Sequence, residues 1–551
     1  MKVETLFNAN EKITIESYLS KCGVKDVDKY LKATTTDSPS NYNNIDKWCK
    51  ALNECVMDNK KIYLLEDSDC DGLFSTVVQY MYCKMIDINC NIEIMVHSQN
   101  NPKSHGLNDE EVMNYLLSKE PSYLFINDAS TNDVEEVKQL YDLGWKIVCS
   151  DHHQSNKNNI EPYCILVNNQ ISPNVENKGL SGTGIVWKCC KRYDEIFDYN
   201  YASNLISFVA LSIISDSMDL TYNENYSFIK WGRERIHTNL IPFINGLNKD
   251  GQYDTNKAFS FGLITCFNSL IRLGTTQDKV ELTLALCGEY NNVNDLIKKC
   301  KDYHNKQSNE VKKLMNNNVD IIYNDNVIIA KINEKTPLTG LVANKMLSKY
   351  NKSIILVHNR SNNECAGSVR ANINLKELCD KSGLFNYNFG HNFAYGTSYD
   401  ISNEQNIITY FKENLKEYEP KYQVLCSYNI NTLQSDLFFF NDNFKGYFGS
   451  GIPIPQVHIQ SFTLDSQDIQ VLGASKTTIK FIKNGVEFIK FFCGQDIKDK
   501  LHIDSKKNVK IQVELIGELG INEFRGQKKY QIIINEVEVK DKNNLSIDDL
   551  F

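Results

Sequence analysis

The chain has 551 residues, enough for three or four domains of about 100–200 residues each and too many for one small module. With 42% hydrophobic residues, 23% charged and only 10 prolines, wholesale disorder is excluded. A formal net charge of −9 excludes a surface that binds polyanions everywhere, so any nucleic-acid site must be local. The 17 cysteines are odd in number, scattered and without a CxxC pair, and no charged-then-apolar leader opens the chain. Neither a disulfide framework nor a zinc site is indicated. No window approaches ~18 consecutive apolar residues, so no membrane span is expected, and a reducing cytoplasm is the expected compartment.

Residues 1–60 read as a polar, helical lead-in without an interpretable motif. From Lys61 the texture changes to apolar runs of strand length separated by helical stretches, at Ile62–Leu65, Ile92–Val96, Tyr123–Ile126, Ile147–Cys149 and Cys164–Val167. This alternation predicts a parallel sheet with helices on both faces over residues 61–221. Three runs end in acids: Asp67-Ser-Asp69-Cys-Asp71-Gly72 after the first, Asp128 after the third and Asp151-His152-His153 after the fourth. The ligand crevice of an open parallel sheet lies outside the carboxyl ends of its strands, so these groups are predicted to share one site. Ser181-Gly182-Thr183-Gly184 then opens an apolar helix, and a second apolar helix from Leu205 runs into Asp216. Residues 222–325 read as a helical connector that closes in a long charged helix from Val293. A second α/β pattern covers 326–420. Beyond it, alternating runs such as Thr478–Ile482 and Tyr530–Ile534 predict a small β-barrel over 421–551 with a short charged tail.

Aspartates at every second position repel one another unless a cation neutralises them. Asp67, Asp69 and Asp71, joined by Asp128, Asp216 and one imidazole, form an oxygen-rich set that suits Mn²⁺ or Mg²⁺ better than zinc. Two such ions about 3.5–4 Å apart are a common arrangement for phosphoester hydrolysis. A calcium loop is the competing reading of DxDxDG, but the EF-hand pattern asks for Glu at its twelfth position, which here is Val78 in an apolar helical stretch.

Asp151-His152-His153 is the signature of the DHH phosphoesterase superfamily, and the other motifs occur in the family's order. The chain resembles the RecJ branch, single-strand-specific 5′→3′ DNA exonucleases. The resemblance implies that Asp69, Asp71, Asp128, His152 and Asp216 ligate metal, with Asp67 as an additional ligand. It also implies that Asp151 orients the histidines, that His153 faces the scissile phosphate, and that Ser181 and Gly182 begin a helix at the substrate. The second α/β region resembles the DHH-associated domain, with Gly367-Ser368-Val369-Arg370 and Gly390-His391 as the expected grip on the substrate strand and its 5′-phosphate.

The β-rich region resembles the family's OB barrel, with Phe448-Gly-Ser-Gly-Ile-Pro453-Ile-Pro455 and Asn522-Glu-Phe524-Arg525-Gly526 as its marks. Lys476, Lys480, Lys483, Phe524 and Arg525 are its candidate strand-binding residues. Three departures stand out. Ser130 replaces a glycine two residues after Asp128. Phe389-Gly390 replaces a glycine pair, and so does not supply the close phosphate approach such a pair would. The loop after the second strand lacks the family's arginine and offers Lys103 or His105 for the end phosphate. The expected activity is metal-dependent 5′→3′ hydrolysis of single-stranded DNA to mononucleotides in recombination, repair or replication, alongside a single-strand-binding protein or helicase. Two alternatives are a hydrolase of short oligoribonucleotides or cyclic dinucleotides and a non-cutting scaffold, which the intact acids oppose.

Overall fold

In the computed structural model, which describes residues 1–8, 11–100, 104–155, 160–317, 319–350, 352–361, 363–415, 421–433, 435–473, 476–503, 505, 507–524 and 527–540, the first α/β region pairs as its pattern predicts. Strands β1 (Ile62–Glu66), β2 (Ile92–Val96), β3 (Tyr123–Asn127), β4 (Lys146–Asp151) and β5 (Ile165–Asn168) form one sheet in the order β2-β1-β3-β4-β5. Every pairing is parallel. Strands β1 and β3 are buried along their whole length, which explains their unbroken apolar runs. The order reverses between β1 and β3, and at that switch point a crevice opens beyond the strand ends. Helices α1 (Cys70–Ile86), α2 (Gly182–Phe197) and α3 (Ile206–Ser215) pack together behind it, with cores such as Phe74, Val186 and Phe208 fully buried.

The connector is helical to the end of α4 (Val293–Asn317). The second α/β domain begins at once, seven residues earlier than the alternation suggests. Its strands β6 (Val319–Asn324), β7 (Val327–Ile332), β8 (Ser353–Asn359), β9 (Glu364–Arg370), β10 (Tyr387–His391) and β11 (Ala394–Asp400) form a sheet in the order β10-β11-β9-β8-β7-β6. Helix α5 (Thr339–Tyr350) covers one face through Val342, Ala343 and Met346. The C-terminal strands form a seven-stranded sheet built round two long antiparallel strands, Lys510–Phe524 and Gln527–Lys540. Among the described residues no helix is long and apolar enough to cross a membrane.

The N-terminal region is more than a helical lead-in. Lys2–Thr5 pairs in parallel with Lys421–Val424, a long-range contact that no local pattern announces. Tyr18 donates a hydrogen bond to the carbonyl of Pro453 at 2.7 Å, while Leu220 N reaches Ser450 O at 2.9 Å and Asn256 Nδ2 reaches Phe448 O at 2.8 Å. The Gly- and Pro-rich segment before the barrel is thus fastened to the N-terminal half of the chain. A buried ion pair does the same inside that half: Lys188 of α2 meets Glu224 and also donates to Thr36 Oγ1 at 2.7 Å. Removing one partner of such a pair leaves the other buried and uncompensated. Lys188→Met is expected to cost about 3–5 kcal/mol, read by chemical denaturation, and Lys188→Met/Glu224→Gln is expected to recover part of it, because Glu224 also accepts from Thr36 Oγ1, Asp37 N and Asn177 Nδ2.

Candidate metal centre and phosphate-binding cleft

The acids converge because strand ends and helix starts coincide at the switch point. Asp69 is the N-cap of α1 and accepts from the amides of Asp71 at 2.8 Å and Gly72 at 3.1 Å. Asp71 lies in the first turn of α1 and faces the start of α2. It accepts from Gly182 N and Thr183 N, both at 2.8 Å, and from the hydroxyls of Thr183 and Ser212, both at 2.6 Å. Asp67 accepts from His105 Nδ1 at 2.7 Å and Gly106 N at 3.1 Å, and His97 Nε2 stands 3.5 Å away. Asp128 follows β3 with φ +66°, and Asp216 caps the C-terminus of α3.

Two histidines complete the cluster. His152 Nε2 lies 3.2 Å from Asp128, 3.5 Å from Asp216 and 3.9 Å from Asp71. Asp151 accepts from the amides of His152 at 2.7 Å, His153 at 3.2 Å and Thr131 at 3.0 Å, and from His153 Nδ1 at 2.8 Å. It therefore fixes the backbone of both histidines and the ring of His153. Burial alone would raise the Asp151 carboxyl, but His153 outweighs it and holds the group well below the ordinary range. Burial likewise opposes protonation of His153, yet Asp151 raises its imidazole to about 10. Asp67 is held low against the effect of burial by His105 and His97.

The donor set fits a divalent cation. Oxygen or nitrogen atoms of Asp128, His152 and His153, of Asp71, His152 and Asp216, and of Asp67, Asp69 and Asp128 lie within 4.8 Å of one another in each group. Among the described residues nothing donates a hydrogen bond to the buried atoms Asp128 Oδ1 and Asp216 Oδ2. Burial and the neighbouring acids push both carboxyls well above their ordinary range, and Asp69 is raised for the same reasons. An oxygen-rich cluster with unsatisfied carboxylates under mutual repulsion is what a hard divalent ion relieves.

Across the cleft lies a cationic counterpart. Arg370, at the end of β9, donates to the carbonyl of Val369 at 2.7 Å, and Gly340 lets its guanidinium lie against the first turn of α5. Arg272, on the connector helix Thr265–Leu273, feels Asp69 on one side and acts on Arg370 on the other. Burial lowers Arg370 to about 10, and Arg272 adds to the shift. Among the described residues neither arginine forms an ion pair with a carboxylate within 4.0 Å, and guanidinium groups left without an acid are suited to an anion. Ser368, its Oγ 3.0 Å from Thr339 Oγ1, lies on the same strand as Arg370. Arg272 was not among the sequence candidates, because a lone arginine in an amphipathic helix carries no pattern.

Several expectations need correction. Ser181 and Gly182 serve the acids rather than an open surface: Ser181 is fully buried, capping Gly184 N at 3.3 Å, with its Oγ 2.6 Å from Ser212 Oγ. A Cβ at Gly182 would stand 2.2 Å from Asp128 Oδ1, so this glycine makes room for the acid. His105 engages Asp67 through Nδ1 while its side chain stays 59% exposed, and Lys480 pairs with Glu487 at 2.8 Å. Ser130 takes φ +73°, the conformation a glycine would favour, and bridges Asp133 Oδ2 at 2.7 Å to Leu107 N at 3.1 Å. Gly390 has φ +129° on β10, Gly367 packs on the backbone of β8, and Lys476 sits at φ +51° in the loop before Thr478. Lys103 and Arg525 lie outside the described residues, as do the side chains of His391 and Phe524.

Comparison with known proteins agrees with this geometry. The DHH family, N-terminal domain, matches residues 61–213, and the RecJ OB domain matches residues 428–536. The chain is a DHH-domain protein with a RecJ OB domain. A Bacillus subtilis strain 168 protein with the provisional name SPbeta prophage-derived single-strand DNA-specific exonuclease YorK is 27% identical, with 91% of each chain covered. The single-stranded-DNA-specific exonuclease RecJ of Haemophilus influenzae is 22% identical over 94% of each. The crystal structure of RecJ in complex with Mn²⁺ from Thermus thermophilus shares the fold, with a TM-score of 0.69 at 16% identity, covering 98% of this chain and 79% of that one.

The raised carboxyls carry a stability consequence. A carboxyl raised in the folded state stabilises at low pH and loses that contribution as pH rises through its folded value. Metal-free protein should therefore weaken as Asp128 and Asp216 ionise. At pH 7.5 without metal, Asp128→Asn is expected to melt about 2–4 °C above the wild type, and added Mn²⁺ should raise the melting temperature of the wild type only. Thermal melts with and without chelator check this.

Proposed function

We propose that this chain is a divalent-metal-dependent exonuclease that degrades single-stranded DNA from its 5′ end to 5′-mononucleotides. The observation that carries the reading is the pairing, across one cleft, of an acid cluster that needs cations with an arginine pair that needs an anion. A phosphodiester supplies that anion next to the metal ligands. The RecJ OB domain favours a long single strand over a dinucleotide, because a short-substrate enzyme has no use for a separate strand-binding module.

Asp69, Asp128, His152 and Asp216, supported by Asp67 and Asp71, would hold two ions of the Mn²⁺ or Mg²⁺ type. Such ions supply Lewis acidity at phosphorus and lower the pKa of the attacking water. The chain's own groups do the rest. Arg370, Arg272 and Ser368 hold the phosphate and fix its distance from the acids. His153, its Nδ1 engaged by Asp151, presents Nε2–H to the scissile phosphate as a charged donor. Asp151 keeps that ring protonated and aimed. With a terminal phosphate on the arginines, the first phosphodiester falls to the acids, and the 5′→3′ direction rests on the resemblance to the RecJ branch.

The test is digestion of a 5′-phosphorylated single-stranded 30-mer with Mn²⁺, labelled in parallel at each end, by the wild type and Arg370→Ala. The 5′ label should leave at once as a mononucleotide while the 3′-labelled strand shortens stepwise. Arg370→Ala should raise KM roughly ten- to a hundred-fold, the scale of a lost hydrogen bond to a charged group. Early release of the 3′ label would reverse the polarity, and an intact 30-mer beside cleaved dinucleotides would move the substrate to short oligonucleotides.

A further inference from the structure

Phe389 occupies a position where a greasy side chain has no folding reason to be. It sits on β10, the edge strand of the second sheet, and remains 53% exposed. Its neighbour Asn388 points to the opposite face, where Nδ2 bonds Asp380 at 2.8 Å. Phe389 therefore projects from the other face, the one that carries Ser368 and Arg370. The register makes the relation explicit: Phe389 lies opposite Gly396, and Gly396 lies opposite Ser368. Residues directly opposite share a face, so the three form one row across β10, β11 and β9.

The middle of that row is empty. A Cβ at Gly396 would find nothing nearer than 3.8 Å. The result is a trough with a glycine floor, an aromatic wall on one side and the Ser368–Arg370 anion site on the other, two strand spacings or about 9.5 Å apart. At its mouth the Phe389 ring lies 6.4 Å from that of His153, with 21° between the planes. The wall therefore stands at the catalytic histidine, on the far side of the cleft from the sheet that holds the acids.

We infer that Phe389 is the stacking platform for the base of the terminal nucleotide, whose phosphate rests on Arg370 and Ser368 while its 3′ phosphodiester meets the acid cluster. This deepens, and rests on, the reading of the site as a nuclease for single strands. An aromatic face accepts any base, so the platform adds grip without sequence preference, and a paired base cannot reach it. Phe389 thereby contributes to the requirement for an unpaired end.

The experiment compares two 5′-phosphorylated strands, one intact and one with an abasic first nucleotide, in the wild type, Phe389→Ala, Phe389→Leu and Phe389→Trp. The wild type should release the abasic terminus with kcat/KM roughly tenfold below the intact one, the scale of one base–aromatic stack. Phe389→Ala and Phe389→Leu should bring the intact strand down to the abasic level and leave the abasic strand unchanged, whereas Phe389→Trp should keep the difference. An equal loss on both strands in Phe389→Leu, or an undiminished abasic effect in Phe389→Ala, overturns the platform and leaves the nuclease reading standing. A wild type inactive on both strands overturns the nuclease reading and the platform with it.

Discussion

The structure depends on a repulsion. Six carboxylates (Asp67, Asp69, Asp71, Asp128, Asp151 and Asp216) are gathered beyond the ends of β1, β3, β4 and α3, where burial and proximity both disfavour charge. The fold meets this in two ways. Asp67 and Asp151 are given imidazole partners, and Asp71 is given four hydrogen-bond donors from Gly182, Thr183 and Ser212. Among the described residues Asp128 Oδ1 and Asp216 Oδ2 accept no hydrogen bond, which leaves those oxygens open to a divalent ion.

That division explains residues whose roles are indirect. Gly182 is a glycine because Asp128 occupies the space of its Cβ. Ser181 and Thr183 hold the start of α2 against Asp71, so two helices are locked to one carboxylate. Ser130 accepts a strained backbone and in return ties the Asp128 loop, through Asp133 and Leu107, to the segment that carries His105 onto Asp67. The second sheet then brings Arg370, and the connector brings Arg272, to the open side of the acids.

The acids were legible in the sequence because each ends an apolar run, and the alternation of those runs with helices implies a parallel sheet. The order β2-β1-β3-β4-β5 then makes the convergence of Asp67–Asp71 with Asp128 unavoidable. What was not legible depends on packing between distant segments. Arg272 acquires its role from the second domain, and Phe389 from a register two strands away from Ser368. Lys2–Thr5 becomes a strand only through Lys421–Val424. Asp71, grouped with the metal ligands by spacing and by resemblance, also accepts four hydrogen bonds from the start of α2 and from Ser212, which spacing cannot reveal.

The most direct test of this account is anomalous diffraction from crystals of the protein grown with Mn²⁺. The account expects manganese peaks within coordination distance of Asp128, His152 and Asp216 and of Asp69 and Asp128, with Arg370 facing them across the cleft. Manganese peaks confined to other surfaces, with the Asp128 and Asp216 oxygens satisfied by water or protein donors instead, would contradict it.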